Sequence, residues 1–241
     1  EDVEKNAVVV GKQEERKRKR KKLAAKREKS KQEGKKEKLG KIDYFIKLIS
    51  LNKMSDNTIM TGYLKVILGC MFSGKTSYIM NIAKMNKLIG KKVLIINFEG
   101  DQRYGLNTKM YTHDKTYIEC VSCPKDILTI NIDVLEYDVI CINEGQFFSN
   151  LLDFCLKFCN KKEIYVCGLD GDYLKKPFGE ILSLIPHCES YVKLTAICMG
   201  CKNGTPATFT KRVVNNENKV LIGSSESYIP VCRYCYDNYK V

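Results

Sequence analysis

The stretch that most limits the fold is Gly69-Cys70-Met71-Phe72-Ser73-Gly74-Lys75-Thr76, which matches GxxxxGK[ST] without a gap. It follows directly on the apolar run YLKVIL and leads into KTSYIMNIAKMNKLIG. A loop of this kind must turn tightly so that successive backbone N–H groups face phosphate oxygens. Glycines permit that path, and the helix that follows adds its positive N-terminal end. Lys75 is then placed to reach the β- and γ-phosphates, and the Thr76 hydroxyl to ligate Mg²⁺. Chance glycine spacing is the bland alternative. The flanking strand and helix are the context that the motif requires.

The segments around the loop repeat that alternation. Tyr78, Ile79, Ile82, Met85 and Ile89 mark one helical face, and Gly90 offers its C-terminal stop. KKVLIINF, YDVICI (137–142) and EIYVCGL (163–169) read as further strands, with SNLLDFCLKFCNKK as a helix between the last two. Short apolar strands alternating with helices predict an α/β fold: a parallel, RecA-like sheet with helices on both faces. After Leu194 the texture shifts to cysteine pairs, Gly, Asn and short strands. The expected division is therefore a basic extension over 1–60, a phosphate-loop α/β domain over 61–193, and a small zinc-ribbon-like module over 194–241.

Charge separates the front of the chain from the rest. The net charge is +13. Residues 1–60 hold 19 Lys+Arg against 10 Asp+Glu, and residues 61–241 hold 22 against 18. The run GKQEERKRKRKKLAAKREKSKQEGKKEK has almost no large apolar residues, so alone it is expected to be disordered or a solvated helix. A nuclear-localisation or nucleic-acid arm, a tail without a binding role, and a natural start at Met54 are three open readings of it. No apolar run approaches the length of a membrane span, and secretion is not expected.

Twelve cysteines in such a chain fit reduced thiols and a metal site better than disulfides, which points to the cytoplasm, or to the nucleus if the basic run is a signal. Cys198-x-x-Cys201 and Cys232-x-x-Cys235 are separated by 30 residues. Two such turns complete a tetrahedral Cys₄ shell with no open position, which predicts structural Zn²⁺. Buried free cysteines are the alternative. Cys120-x-x-Cys123 reads as small core or surface residues, and Cys155 and Cys159 as packing on one helix side.

The blocks GCMFSGKT, DQRYGLNTKMYTHD, NEGQFF, LDGDYLKKPFG, VKLTAICMGC and VCRYCY, in this order over about residues 63–238, resemble the type II thymidine kinases, cellular cytosolic and poxvirus-like. The resemblance implies transfer of the ATP γ-phosphate to the 5′-hydroxyl of thymidine, with deoxyuridine as a second acceptor, for DNA precursor salvage. It also implies a homotetramer. It makes Glu144 the general base, with Lys75 and Arg103 stabilising the transferring group. Nucleotide contacts fall on Gly69 to Thr76, on Asp101, Gln102 and Arg103, and on Asn143, Glu144, Gly145 and Gln146. Tyr173 matches the aromatic that stacks on thymine. Met71, Leu169, Thr210 and Tyr228 match the 5-methyl pocket. Lys219, Val220, Leu221, Ile222 and Gly223 match a lasso whose main chain reads the base edge. Since the cysteine turns anchor that lasso, zinc loss is expected to harm thymidine binding more than ATP binding.

Three departures from the family pattern stand out. Asn143 replaces the aspartate that would help hold Mg²⁺, and offers a carbonyl oxygen without charge. KNGTPATFTKR is two residues longer than usual, and Ser224 takes the place of a glycine. Two other function classes fit the same residues: a zinc-containing P-loop ATPase acting on nucleic acid, and a catalytically weakened nucleotide binder. His113 and His187 form no credible catalytic pair.

Overall fold

A computed structural model describes residues 62–101, 108–112, 114–214 and 227–239. The basic run, Gln102, Arg103, His113 and the lasso residues 219–223 lie outside the described residues. Contacts group Met60–Val241 into one compact unit.

The strands are β1 (Tyr63–Gly69), β2 (Val93–Phe98), β3 (Lys109–Tyr111), β4 (Tyr117–Glu119), β5 (Val121–Cys123), β6 (Val139–Ile142), β7 (Glu163–Gly168) and β8 (Ser190–Leu194). The helices among them are α1 (Lys75–Leu88) and α2 (Leu151–Phe158). Six of the strands form one sheet in the order β5-β2-β6-β7-β1-β8, parallel at every junction. The central strands are buried on both faces, which is why they read as unbroken apolar runs instead of alternating ones.

Alternate residues of each strand feed two separate cores. Leu64, Val66, Leu94, Ile96, Ile140, Ile142, Ile164 and Val166 pack with Phe154, Leu151 and Phe158 of α2. Ile67, Ile95, Val139, Cys141 and Cys167 pack with Ile79, Met80 and Ala83 of α1 and with Met110 and Ile118 of the β3–β4 hairpin. The period-two geometry of a strand makes this division. Fully burying one such aliphatic side chain contributes about 1.5–3 kcal/mol.

The face of α1 differs from the sequence expectation. Ile79, Met80 and Ala83 are buried, Tyr78 and Ile82 are half-buried against them, and Ile89 is 47% exposed. The helix stops where expected. Gly90 adopts φ 82°, a left-handed turn that glycine enters without strain, and its amide bonds back to the Lys87 carbonyl. α2 spans eight residues, shorter than the apolar segment around it, and β5 and β8 extend the sheet beyond the strands expected.

The cysteine-rich segment supplies β9 (Ala196–Ile197), β10 (Pro206–Ala207), β11 (Phe209–Arg212), β12 (Tyr228–Val231) and α3 (Arg233–Asn238). β9 pairs with β10 and β11 with β12, both antiparallel. Cys198, Ala207, Val231, Cys232 and Cys235 form a small core of their own.

Candidate active site

Parallel strands all finish at one edge of a sheet, and ligands of open α/β folds settle there. Here the ends of β1, β2, β6 and β7 deliver the phosphate loop, Asp101, Asn143–Glu144 and Leu169 to that edge. Gly69 closes β1 at φ 149°. A Cβ there would press to 2.6 Å against both the Leu194 carbonyl and Ser73 Oγ, so only glycine lets the chain turn at this point. Phe72, at φ 63°, also takes a left-handed conformation that non-glycine residues seldom adopt.

Lys75 opens α1 and is buried, its Nζ donating to the Cys70 carbonyl at 2.7 Å. Burial pushes its pKa below the ordinary lysine value, opposed chiefly by the nearby negative charge of Glu144. Such a cation is under-compensated, and phosphate oxygens are its natural partners.

Asn143 follows β6 directly and is 2% exposed. Its Nδ2 donates to Asn97 Oδ1 at 2.8 Å, while its Oδ1 accepts from Cys167 Sγ at 3.0 Å and from Thr76 Oγ1 at 3.5 Å. Burial and the charge of Glu144 push the Cys167 thiol up to about 12, so it stays a neutral donor. Thr76 and Asn143 thus bring two hard, neutral oxygens together beside the loop. That donor set fits Mg²⁺ completed by phosphate oxygens and water.

Glu144 is buried and left-handed, with φ 54° and ψ 41°. For a side chain with a Cβ this costs on the order of 1 kcal/mol, and such strain gathers at functional sites. Gln146 then holds the carboxylate from one side. Its Nε2 donates to Glu144 Oε2 at 2.7 Å and its Oε1 accepts from the Leu169 amide at 2.9 Å. Gly168 permits this, since a Cβ there would collide with Gln146 Oε1. Gly145 and Gln146 are buried within the short turn Gly145–Phe147. The Gln146 amide is therefore engaged with Glu144 and Leu169.

Of the residues expected around a base, Met71 and Thr210 are joined, and Tyr173 and Tyr228 share Arg212. The Met71 amide in the phosphate loop donates to Thr210 Oγ1 on β11 at 3.0 Å. Tyr173 is half-buried, with the guanidinium of Arg212 lying 3.8 Å above its ring centre. Arg212 Nη2 donates to the Tyr228 hydroxyl at 2.8 Å, and Tyr236 Oη donates to the Tyr173 carbonyl at 2.6 Å. The sequence reading missed Arg212 and Tyr236. Arg212 was legible: on a strand it shares the face of Thr210, two residues earlier, and both are buried.

The four cysteines converge. Cys201 Sγ lies 3.6 Å from Cys232 Sγ and 3.4 Å from Cys235 Sγ, and all four sulfurs fall within 4.8 Å of one another. A tetrahedron with Zn–S bonds of ~2.3 Å has edges of ~3.8 Å, so the quartet fits zinc. Burial works to raise the Cys198 pKa, but the amides of Cys201, Cys232 and Gly200 outweigh it and lower the thiol to about 6. Cys70 reaches the same module, its Sγ donating to the Ala207 carbonyl at 3.3 Å. Among the described residues, no helix is long and apolar enough to cross a membrane.

Comparison with known proteins covers this same region. The family described as Thymidine kinase matches residues 62–236. The Thymidine kinase of Yaba monkey tumor virus is 39% identical over 177 residues, 73% of this chain and 95% of that protein. The Thymidine kinase of Vaccinia virus (strain Ankara) is 38% identical over 178 residues, covering 73% and 97%. Thymidine kinase 1 of Dictyostelium discoideum is 39% identical over 189 residues, covering 75% and 80%.

Proposed function

The chain belongs to the thymidine kinase family and is a kinase, and from that premise we propose that it transfers the γ-phosphate of ATP to the 5′-hydroxyl of thymidine. The observation that carries the reading is the buried, left-handed Glu144, braced by Gln146 beside the phosphate loop. In the proposed reaction the 5′-oxygen attacks the γ-phosphorus, the bond to the β–γ bridging oxygen breaks, and ADP leaves. Glu144 accepts the proton that the hydroxyl loses.

The remaining roles follow from charge and shape. Lys75 and the loop amides, Gly69 to Thr76, hold the β- and γ-phosphates. Arg103, outside the described residues, is assigned to the charge of the transferring group, with Asp101 and Gln102 beside it. Thr76 and Asn143 would hold Mg²⁺, which when bound neutralises phosphate charge. Tyr173 stacks on the base. Met71, Leu169, Thr210 and Tyr228 test its methyl group, and the main chain of Lys219 to Gly223 reads its edge. Deoxyuridine, lacking the methyl, is the weaker acceptor on this account. Cys198, Cys201, Cys232 and Cys235 would hold zinc, which when bound cross-links the module that carries Thr210 and Tyr228. A homotetramer acting in the cytoplasm completes the proposal.

The test is transfer of labelled γ-phosphate to thymidine. ATP turnover should depend on thymidine, and Glu144→Gln should lower kcat by ~10²-fold or more. Turnover driven by DNA and indifferent to thymidine would overturn the reading.

A further inference from the structure

We propose that Asn97, in β2, is a positioning residue for the metal corner: it decides which end of the Asn143 carboxamide faces Thr76. A carboxamide has an oxygen end that attracts a cation and an NH₂ end that repels one, nearly equal in shape. Half a turn about the terminal torsion exchanges them. At an exposed site both orientations coexist. At position 143 the side chain is 2% exposed, and its neighbours select one.

Asn97 makes the selection. It is 5% exposed, and its Oδ1 accepts the Asn143 Nδ2–H at 2.8 Å. With the NH₂ end so engaged, Asn143 Oδ1 faces the two donors Cys167 Sγ and Thr76 Oγ1. With Asn97 as it stands, the reverse orientation would set two carbonyl oxygens against each other and leave the hydrogens of Cys167 and Thr76 without their acceptor. The main chain supports the same register, since the Asn143 amide donates to the Ile96 carbonyl at 2.9 Å. Asn97 therefore acts through Asn143 without touching nucleotide or metal, and the pair keeps this corner neutral while presenting an oxygen to it. Partners that orient a metal ligand typically change metal affinity ~10–100-fold when lost.

The inference rests on the kinase reading for the presence of nucleotide and metal, but its readout does not need thymidine. Mn²⁺ is titrated into the full chain loaded with a non-hydrolysable ATP analogue and followed by electron paramagnetic resonance. Asn97→Leu keeps the volume and removes the acceptor, and should weaken Mn²⁺ binding by ~10-fold or more with little change in analogue affinity. Asn97→Asp keeps the acceptor and should bind Mn²⁺ at least as tightly as the parent. Unchanged Mn²⁺ affinity in a folded Asn97→Leu protein would overturn the proposal, and so would weaker binding by Asn97→Asp. If Asn97→Leu does not fold, Asn97→Ser, too short to reach Asn143, replaces it with the same expected loss, and unchanged Mn²⁺ affinity there would equally overturn the proposal. Labelled phosphate transfer to thymidine, run in parallel, fails separately if the substrate assignment is wrong.

Discussion

The amide of Met71, inside the phosphate loop, donates to the hydroxyl of Thr210 on β11 at 3.0 Å. One hydrogen bond thus joins the glycine-rich loop to the cysteine-rich module, and the contact of Cys70 with Ala207 adds a second. The sequence alone places the module's influence on thymidine. With these ties, disturbing the cysteines reaches the ATP side as well. Cys232→Ser should raise the thymidine Kd by ~10-fold or more and the ATP Kd by a few-fold, in keeping with losses of supporting contacts at metal sites. Isothermal titration of each ligand separately checks this, and equal losses would mean that the module supports folding alone.

Gln146 braces Glu144 with one end of its amide and Leu169 with the other. Gln146→Leu removes both bonds while keeping bulk. It should lower kcat by ~10-fold with a smaller change in the ATP KM, the loss per misplaced catalytic group being of that order or larger. Steady-state kinetics with each substrate varied in turn distinguishes this from a general loss of folded protein.

Lys75 predicts a pH effect with a definite sign. Burial lowers its pKa in the nucleotide-free protein. Between that lowered value and the ordinary lysine value the unfolded chain binds more protons, so this group makes stability rise with pH across that window. Bound phosphates restore the ammonium, so ATP binding should take up protons on the alkaline side of the lowered value. Calorimetry in buffers of different ionisation enthalpy measures the uptake, which Lys75→Met should abolish.

Asn143→Asp tests the proposed metal corner from the other direction. Thr76 and Cys167 both offer hydrogens to position 143, so a carboxylate oxygen is accommodated on that side. The Mg²⁺ concentration for half-maximal activity should fall by ~10-fold, as expected for a hard cation gaining a charged oxygen ligand. A magnesium titration showing no gain would refute this.

Much of this architecture was readable in one dimension. The phosphate loop announces itself because its backbone path requires glycines at fixed places. The cysteine quartet does so because two short turns must supply four thiolates. The buried strands show as apolar runs. β5, at three residues, is too short to display a period. Met85 and Ile89 fit a helical face in the sequence, yet the last turn of α1 is exposed, with Leu88 at 70%. The bonds of Asn97 to Asn143 and of Gln146 to Leu169 were not legible, because each joins segments far apart in the chain. Asn97 meets a residue 46 positions away and Gln146 one 23 positions away, and neither distance has a signature in a single chain.

On the proposed reading, the left-handed backbone at Glu144 sets folding and chemistry against each other at a single position. Glycine or asparagine would sit more comfortably there, and neither could take a proton from an alcohol. A library sorted only for resistance to heat should therefore drift away from glutamate at 144. The survivors would tolerate more warming than their parent and would have forgotten their trade.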